Sequence, residues 1–166
     1  MKKTLLFLIF LAPILLLSQH SDRVLLIKKM YKETISYSKV GDCKTISWEE
    51  IDDDDEYGRS FEREVTKCLY PDNYSRISLS FSLWESWLGG EYYFKNDNLY
   101  FVYIDSDSGN SEDKTRIYFK ENGEIEKILV DYGEGNTTVN DSSDIEIIKR
   151  NKLIWLSIAE KELNKK

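Results

Sequence analysis

Chemistry in this chain falls to carboxylates and aromatic rings, because the other usual actors are scarce. Its 166 residues hold a single histidine, His20, close to the N-terminus. Ser–His and Cys–His nucleophilic schemes need a positioned imidazole, and chain ends are commonly mobile. Zinc centres of the His/Cys type fail on the same count. No phosphate-cradling glycine loop and no dinucleotide fingerprint occurs. The reading is a protein that is not an enzyme, with no cofactor and no metal. Acid–base work by an Asp/Glu pair, as in glycan hydrolases, stays open; among 30 acidic residues the sequence singles out no pair.

Seven of the eight residues from Glu49 to Glu56 are acidic. Such a run cannot enter a core, so Asp52, Asp53, Asp54, Asp55 and Glu56 are expected on a solvated loop, where they could meet a basic partner. A calcium site is the alternative, but the run lacks the alternating ligands and turn glycine of a calcium loop. Asp105, Asp107 and Asp113 invite the same comparison. There Gly109 falls one place early and the closing Glu is missing, which leaves a hairpin loop.

The aromatic residues Trp84, Trp87, Tyr92, Tyr93, Tyr100 and Tyr103 gather around one stretch. Neighbours on a strand point to opposite faces, so Tyr92 and Tyr93 cannot both be core in a one-sided sheet. Trp84 falls on the face of Ser78, Ser80 and Ser82. Trp84, Trp87, Tyr92 and Tyr93 are therefore candidates for a surface that takes protein or sugar. The alternatives are a helix over each face, or cross-strand pairs that stiffen the sheet.

The elements that would position these residues follow from periodicity. Val24, Ile27, Tyr31 and Ile35 recur at helical spacing behind Asp22 as N-cap, with Gly41 as the stop. Lys44–Trp48, Ser60–Tyr70 and Ile77–Leu83 read as strands, with a Pro71–Asn73 turn. Gly89 and Gly90 are expected to turn the chain into a hairpin about Asn96–Asn98. A second hairpin turns at Glu121–Gly123, and Tyr93-Phe94-Lys95 is echoed by Tyr118-Phe119-Lys120. Residues 131–140 read as a loop. Ser143 and Glu146 have capping-box spacing ahead of a helix with Trp155 in its core stripe. The fold class is α+β: an antiparallel β-meander of about six strands, with an N-terminal and a C-terminal helix packed on it.

Lys2 and Lys3 precede an apolar run from Leu5 to Leu17, after which Ser18, Gln19 and His20 turn polar. That is the pattern of a secretory signal peptide over residues 1–18, too short for a comfortable transmembrane helix. An uncleaved anchor is the alternative. Residues 19–166 form one domain, with no membrane span, in the periplasm or outside the cell. From Gln19 onward 30 acidic side chains face 21 basic ones, a net charge of −9, which disfavours nucleic acid and anionic lipid. In an exported chain the pair Cys43 and Cys68 is expected to form a disulfide, two buried thiols being the other reading.

Glu91-Tyr92-Tyr93-Phe94-Lys95, Leu99–Tyr103 and Arg116–Lys120 resemble a group of small exported Gram-negative bacterial proteins of unknown function with YYF-type β-hairpins. The resemblance spans about residues 60 to 130. It implies export and a meander, and it transfers no functional residues. The functional expectation is an exported interaction protein of unknown protein or glycan partner, working through the aromatic sheet surface or the acidic loop. An inhibitor or immunity-type protein that blocks a basic partner, and a carboxylate-dependent glycan hydrolase, are the alternatives.

Overall fold

The structure, a computed structural model, describes residues 22–51, 60–83, 86–107, 112–133 and 135–165. Helix α1 covers residues 22–36. Strands β1 (Asp42–Ile51), β2 (Ser60–Leu69), β3 (Tyr74–Leu83), β4 (Ser86–Lys95), β5 (Asn98–Asp107), β6 (Glu112–Phe119), β7 (Ile125–Asp131) and β8 (Asn136–Thr138) follow, then helix α2 (Ser142–Leu163). The eight strands form one antiparallel sheet in chain order.

The class is α+β, as expected, but the sheet has eight strands where about six were expected. The strand that was not expected is β8, which lies in a Gly/Asn/Thr stretch that reads as loop; β1 was expected at Lys44–Trp48 and runs on to Ile51. Gly89 and Gly90 are also corrected: they sit inside β4, not at a turn. The turn between β4 and β5 is the two-residue Asn96–Asp97, with φ of 50° and 61°. Those left-handed angles suit Asn and Asp and match the twist of a hairpin.

Both faces of the sheet carry a core. On one face Val65, Leu79, Tyr92, Val102, Ile104 and Ile117 pack under α2, which adds the buried Ala159 with Trp155 and Leu156 beside it. Trp155 meets Phe81 at 4.8 Å between ring centroids, so it packs as core. On the other face Tyr74, Tyr93, Tyr100, Phe101 and Tyr118 gather with Ile27 of α1. Two-sided burial lets the adjacent Tyr92 and Tyr93 both reach zero exposure. The one-sided expectation is thereby replaced by the alternative of a helix over each face.

The repeated Tyr-Phe-Lys phrase marks a repeated irregularity. Tyr93 pairs with Phe101 but Phe94 with Leu99, leaving Tyr100 as an extra residue. Tyr118 pairs with Lys127 but Phe119 with Ile125, leaving Glu126 extra. A bulge re-aims side chains, and the first one puts Tyr100 and Phe101 in the same cluster under α1. In both copies the Tyr joins the α1 side and the Phe the α2 side.

Helix α1 follows its expected stripe at Val24, Ile27 and Tyr31, which pack on the sheet, and departs from it at Ile35. Ile27 and Thr34 are buried, whereas Ile35 is 39% exposed. Half-buried Tyr31 lies between Ile27 and Thr34, at steps of four and three, and Thr34 is admitted because its hydroxyl meets the Tyr100 hydroxyl at 2.9 Å. Asp22 is already helical and is not the cap. For α2 the cap is Asp141, whose carboxylate accepts from the Ser143 backbone N–H at 2.8 Å, instead of the expected Ser143. The Ser143 hydroxyl, and after it the backbone N–H groups of Ser143 and Asp144, hold the Asp141 carboxyl below its usual range.

Candidate functional site

Helix α1 covers only one end of its face of the sheet. Beyond it, toward the end where Leu83 and Ser86 pair, the strands present short and polar side chains and a groove of about 300 Å³. Strand alternation brings Glu64 of β2, Ser78 and Ser80 of β3, Trp87, Gly89 and Glu91 of β4, and Tyr103 and Asp105 of β5 into it.

The floor is made by glycine. In register, Glu64, Ser80, Gly89 and Asp105 form one row across four strands. A Cβ on Gly89 would stand 2.6 Å from Cζ2 and Cη2 of Trp87. The indole therefore lies across the bare backbone of Gly89, with Trp87 still 43% exposed. On the opposite face Tyr92 does the same to Gly90, its ring 3.2 Å from where a Cβ would be. Each glycine is roofed by the aromatic residue two places along its own strand.

The carboxylates are held in different ways. Glu91 accepts from Arg76 Nη1 at 3.1 Å and from the Tyr93 hydroxyl at 2.6 Å, one bond to each oxygen. Burial, then the charge and hydrogen bond of Glu91, push the Tyr93 hydroxyl far above the usual tyrosine range. It thus remains a donor, and Glu91 keeps a fixed orientation. Asp105 accepts from the Tyr103 hydroxyl at 3.2 Å, which burial and then Asp105 also push up. Glu64 is exposed and makes no ion pair among the described residues. Glu49 and Glu62 share the next row with Ser82 and Trp87, so the β1–β5 end of this face is acidic. Among the described residues no group of three or more His, Cys, Asp or Glu is arranged to hold a metal ion.

The candidates named from sequence are thus scattered. Trp87 lies in the groove. Tyr92 and Tyr93 are fully buried on opposite faces, and Tyr93 reaches the groove by its hydrogen bond to Glu91. Trp84 and the acidic run Asp52, Asp53, Asp54, Asp55 and Glu56 lie outside the described residues. Cys43 and Cys68 are bridged, S–S 2.07 Å, across the β1–β2 pair. The sequence does not place Glu64, Glu91, Tyr103 and Asp105 in one site: Tyr103 stands there only among the clustered aromatics and Asp105 only in the calcium comparison, and the register alone unites the four. The alternating serines of β3 were the one legible signal of this floor.

Set against known protein families, curated proteins and solved structures, the chain matches none.

Proposed function

We propose that the chain is an exported binding protein without catalytic activity, which seats a cationic segment of a protein partner on the bare half of its sheet. One observation carries the reading: the exposed Trp87 indole, packed over the bare backbone of Gly89, shares its groove with Glu64, Glu91 and Asp105. A lysine or arginine over an indole face gains about 0.5–2 kcal/mol, and neighbouring carboxylates add charge pairing. A net charge of −7 would steer a basic partner in and turn phosphate backbones away. Export is supported by the apolar run behind Lys2 and Lys3 and by the Cys43–Cys68 bridge, which persists in oxidising compartments such as the periplasm or the exterior. Among the described residues no helix is long and apolar enough to cross a membrane.

Titration calorimetry with short lysine- and arginine-containing peptides tests this. Affinity should fall about tenfold on Trp87→Ala and weaken as salt rises. Equal affinity for uncharged peptides of the same length would sink the proposal. In the inhibitor-type version, neutralising Asp52–Glu56 slows association and flattens its salt dependence without moving the groove.

A second reading has an observation of its own. Glu91 pairs with Tyr103, so Asp105 is its diagonal neighbour across β4 and β5, about 7–8 Å away between backbone positions. Inverting glycosidases space their carboxylates at about 6.5–9.5 Å, and sugars stack on indoles. Against it, both oxygens of Glu91 are already engaged, which suits a fixed charge better than a proton shuttle. Glycan turnover abolished by Glu91→Gln would establish this reading in place of the first.

A further inference from the structure

We propose that a second cleft, between α1 and the sheet, binds a small carboxylate carried on a flat aromatic body. This site is separate from the Trp87 groove and does not depend on what that groove takes. The cleft encloses about 380 Å³, with Lys28 of α1 and Arg116 of β6 among its lining residues and Tyr31, Phe101, Tyr103 and Tyr118 as its rings. That volume lies in the lower part of the range for small-molecule pockets, about 300–1,000 Å³.

The rings are already set for an aromatic guest. Phe101 and Tyr118 are 6% and 3% exposed, with centroids 5.1 Å apart. Tyr31 of α1 meets Phe101 edge-on at 5.3 Å, with planes 68° apart. Edge-to-face and offset contacts of this kind are the ones aromatic rings favour. Tyr31 and Phe101 already touch, so a planar ring entering the cleft would extend this cluster from its open side.

The charge at this cleft runs against the rest of the molecule. In a chain of net charge −7, Lys28 and Arg116 make no ion pair among the described residues. Arg116 donates Nη1 to the neutral Oδ1 of Asn136 and lies 5.7 Å from the Tyr103 ring centroid. A guanidinium has five N–H donors in a planar fork that matches a carboxylate, so the remaining donors of Arg116 suit that group, with Lys28 as a second positive charge. Tyr103 divides the two sites: it also lines the acidic groove, where its hydroxyl bonds Asp105. An anion is accordingly favoured on one side of this ring and disfavoured on the other.

The test is calorimetric titration of the intact chain with benzoate and 3-phenylpropionate, beside benzyl alcohol, benzylamine and inorganic phosphate. The aromatic acids should bind, and the alcohol, amine and phosphate at least tenfold more weakly. Arg116→Gln should weaken the acids about tenfold or more, Arg116→Lys should recover part of the loss, and Trp87→Ala should change nothing. Ring-current shifts of Phe101 and Tyr118 protons on adding 3-phenylpropionate place the ligand and show that each variant is folded. Equal binding of benzyl alcohol and benzoate would overturn the proposal, as would full affinity in folded Arg116→Gln. Phosphate binding as well as benzoate reduces the cleft to an anion patch and overturns it too. A peptide with a C-terminal Phe that binds more tightly than the free acids would assign the cleft to a polypeptide end instead.

Discussion

At the scale of single residues, Gly89 and Gly90 separate binding from stability. They are adjacent on β4, face opposite sides, and each is roofed by a ring. Trp87 is partly exposed and can swing aside; Tyr92 is fully buried and cannot. Gly89→Ala is therefore expected to leave stability nearly unchanged while lifting the indole off the floor and weakening basic-peptide binding. Gly90→Ala must press on a packed ring and should cost about 1–3 kcal/mol, the usual range for overpacking. Chemical denaturation of both variants, with a peptide titration alongside, checks the contrast. The sequence could not announce this pair, because two consecutive glycines ordinarily signal a turn. Their use here depends on rings at positions 87 and 92 folding back along the strand, which spacing alone does not reveal. The same holds for Glu64, which meets Asp105 only through a row four strands wide.

At the scale of elements, α1 is seated by hydroxyls as much as by apolar contact. The Thr34 hydroxyl meets Tyr100 at 2.9 Å, Tyr74 donates to Glu33 at 2.7 Å, and Tyr37 donates to Asp72 at 2.8 Å. Thr34→Val keeps the shape and removes the partner of a buried tyrosine hydroxyl. Leaving such a group unsatisfied costs about 1–3 kcal/mol, so Thr34→Val should lower the urea midpoint accordingly. Hydrogen exchange should quicken in α1 before the central strands. Both helices and most strands were legible, since period-two and helical stripes arise from burial on fixed faces. What was illegible was that Thr34, and not Ile35, completes α1's buried face. A threonine counts as polar until the bulge at Tyr100 supplies its partner, and that bulge is a property of the β4–β5 register.

At the scale of the whole molecule, the core facing α1 is made of tyrosines, and that ties stability to alkaline pH. Burial raises the hydroxyls of Tyr74, Tyr93 and Tyr100 on that face, and of Tyr92 on the face under α2, well above the ordinary tyrosine value, Glu33 adding to the shift at Tyr74 and Glu91 at Tyr93. In the unfolded chain these groups ionise near about 10. Above that pH the folded state holds more protons than the unfolded one, so stability is complete below about pH 10 and falls as pH rises further. Denaturation midpoints measured from pH 7 to 12 should stay flat and then drop. Phenolate absorbance should rise in step with unfolding instead of titrating gradually; a smooth titration of these tyrosines in the folded state would contradict the assignment.

The strand order has a further consequence, in time instead of space. Each strand lies beside its chain neighbour, so a chain emerging N-terminus first could add its sheet one hairpin after another. Helix α1 cannot follow that schedule. Its seat uses Tyr74 of β3, Tyr93 of β4, Phe101 of β5 and the carbonyl of Phe119 at the end of β6. For as long as the chain beyond residue 118 is still arriving, Ile27, Tyr31 and Thr34 have no complete surface to rest on. The first described segment to emerge thus cannot be locked down until five strands after β1 have formed.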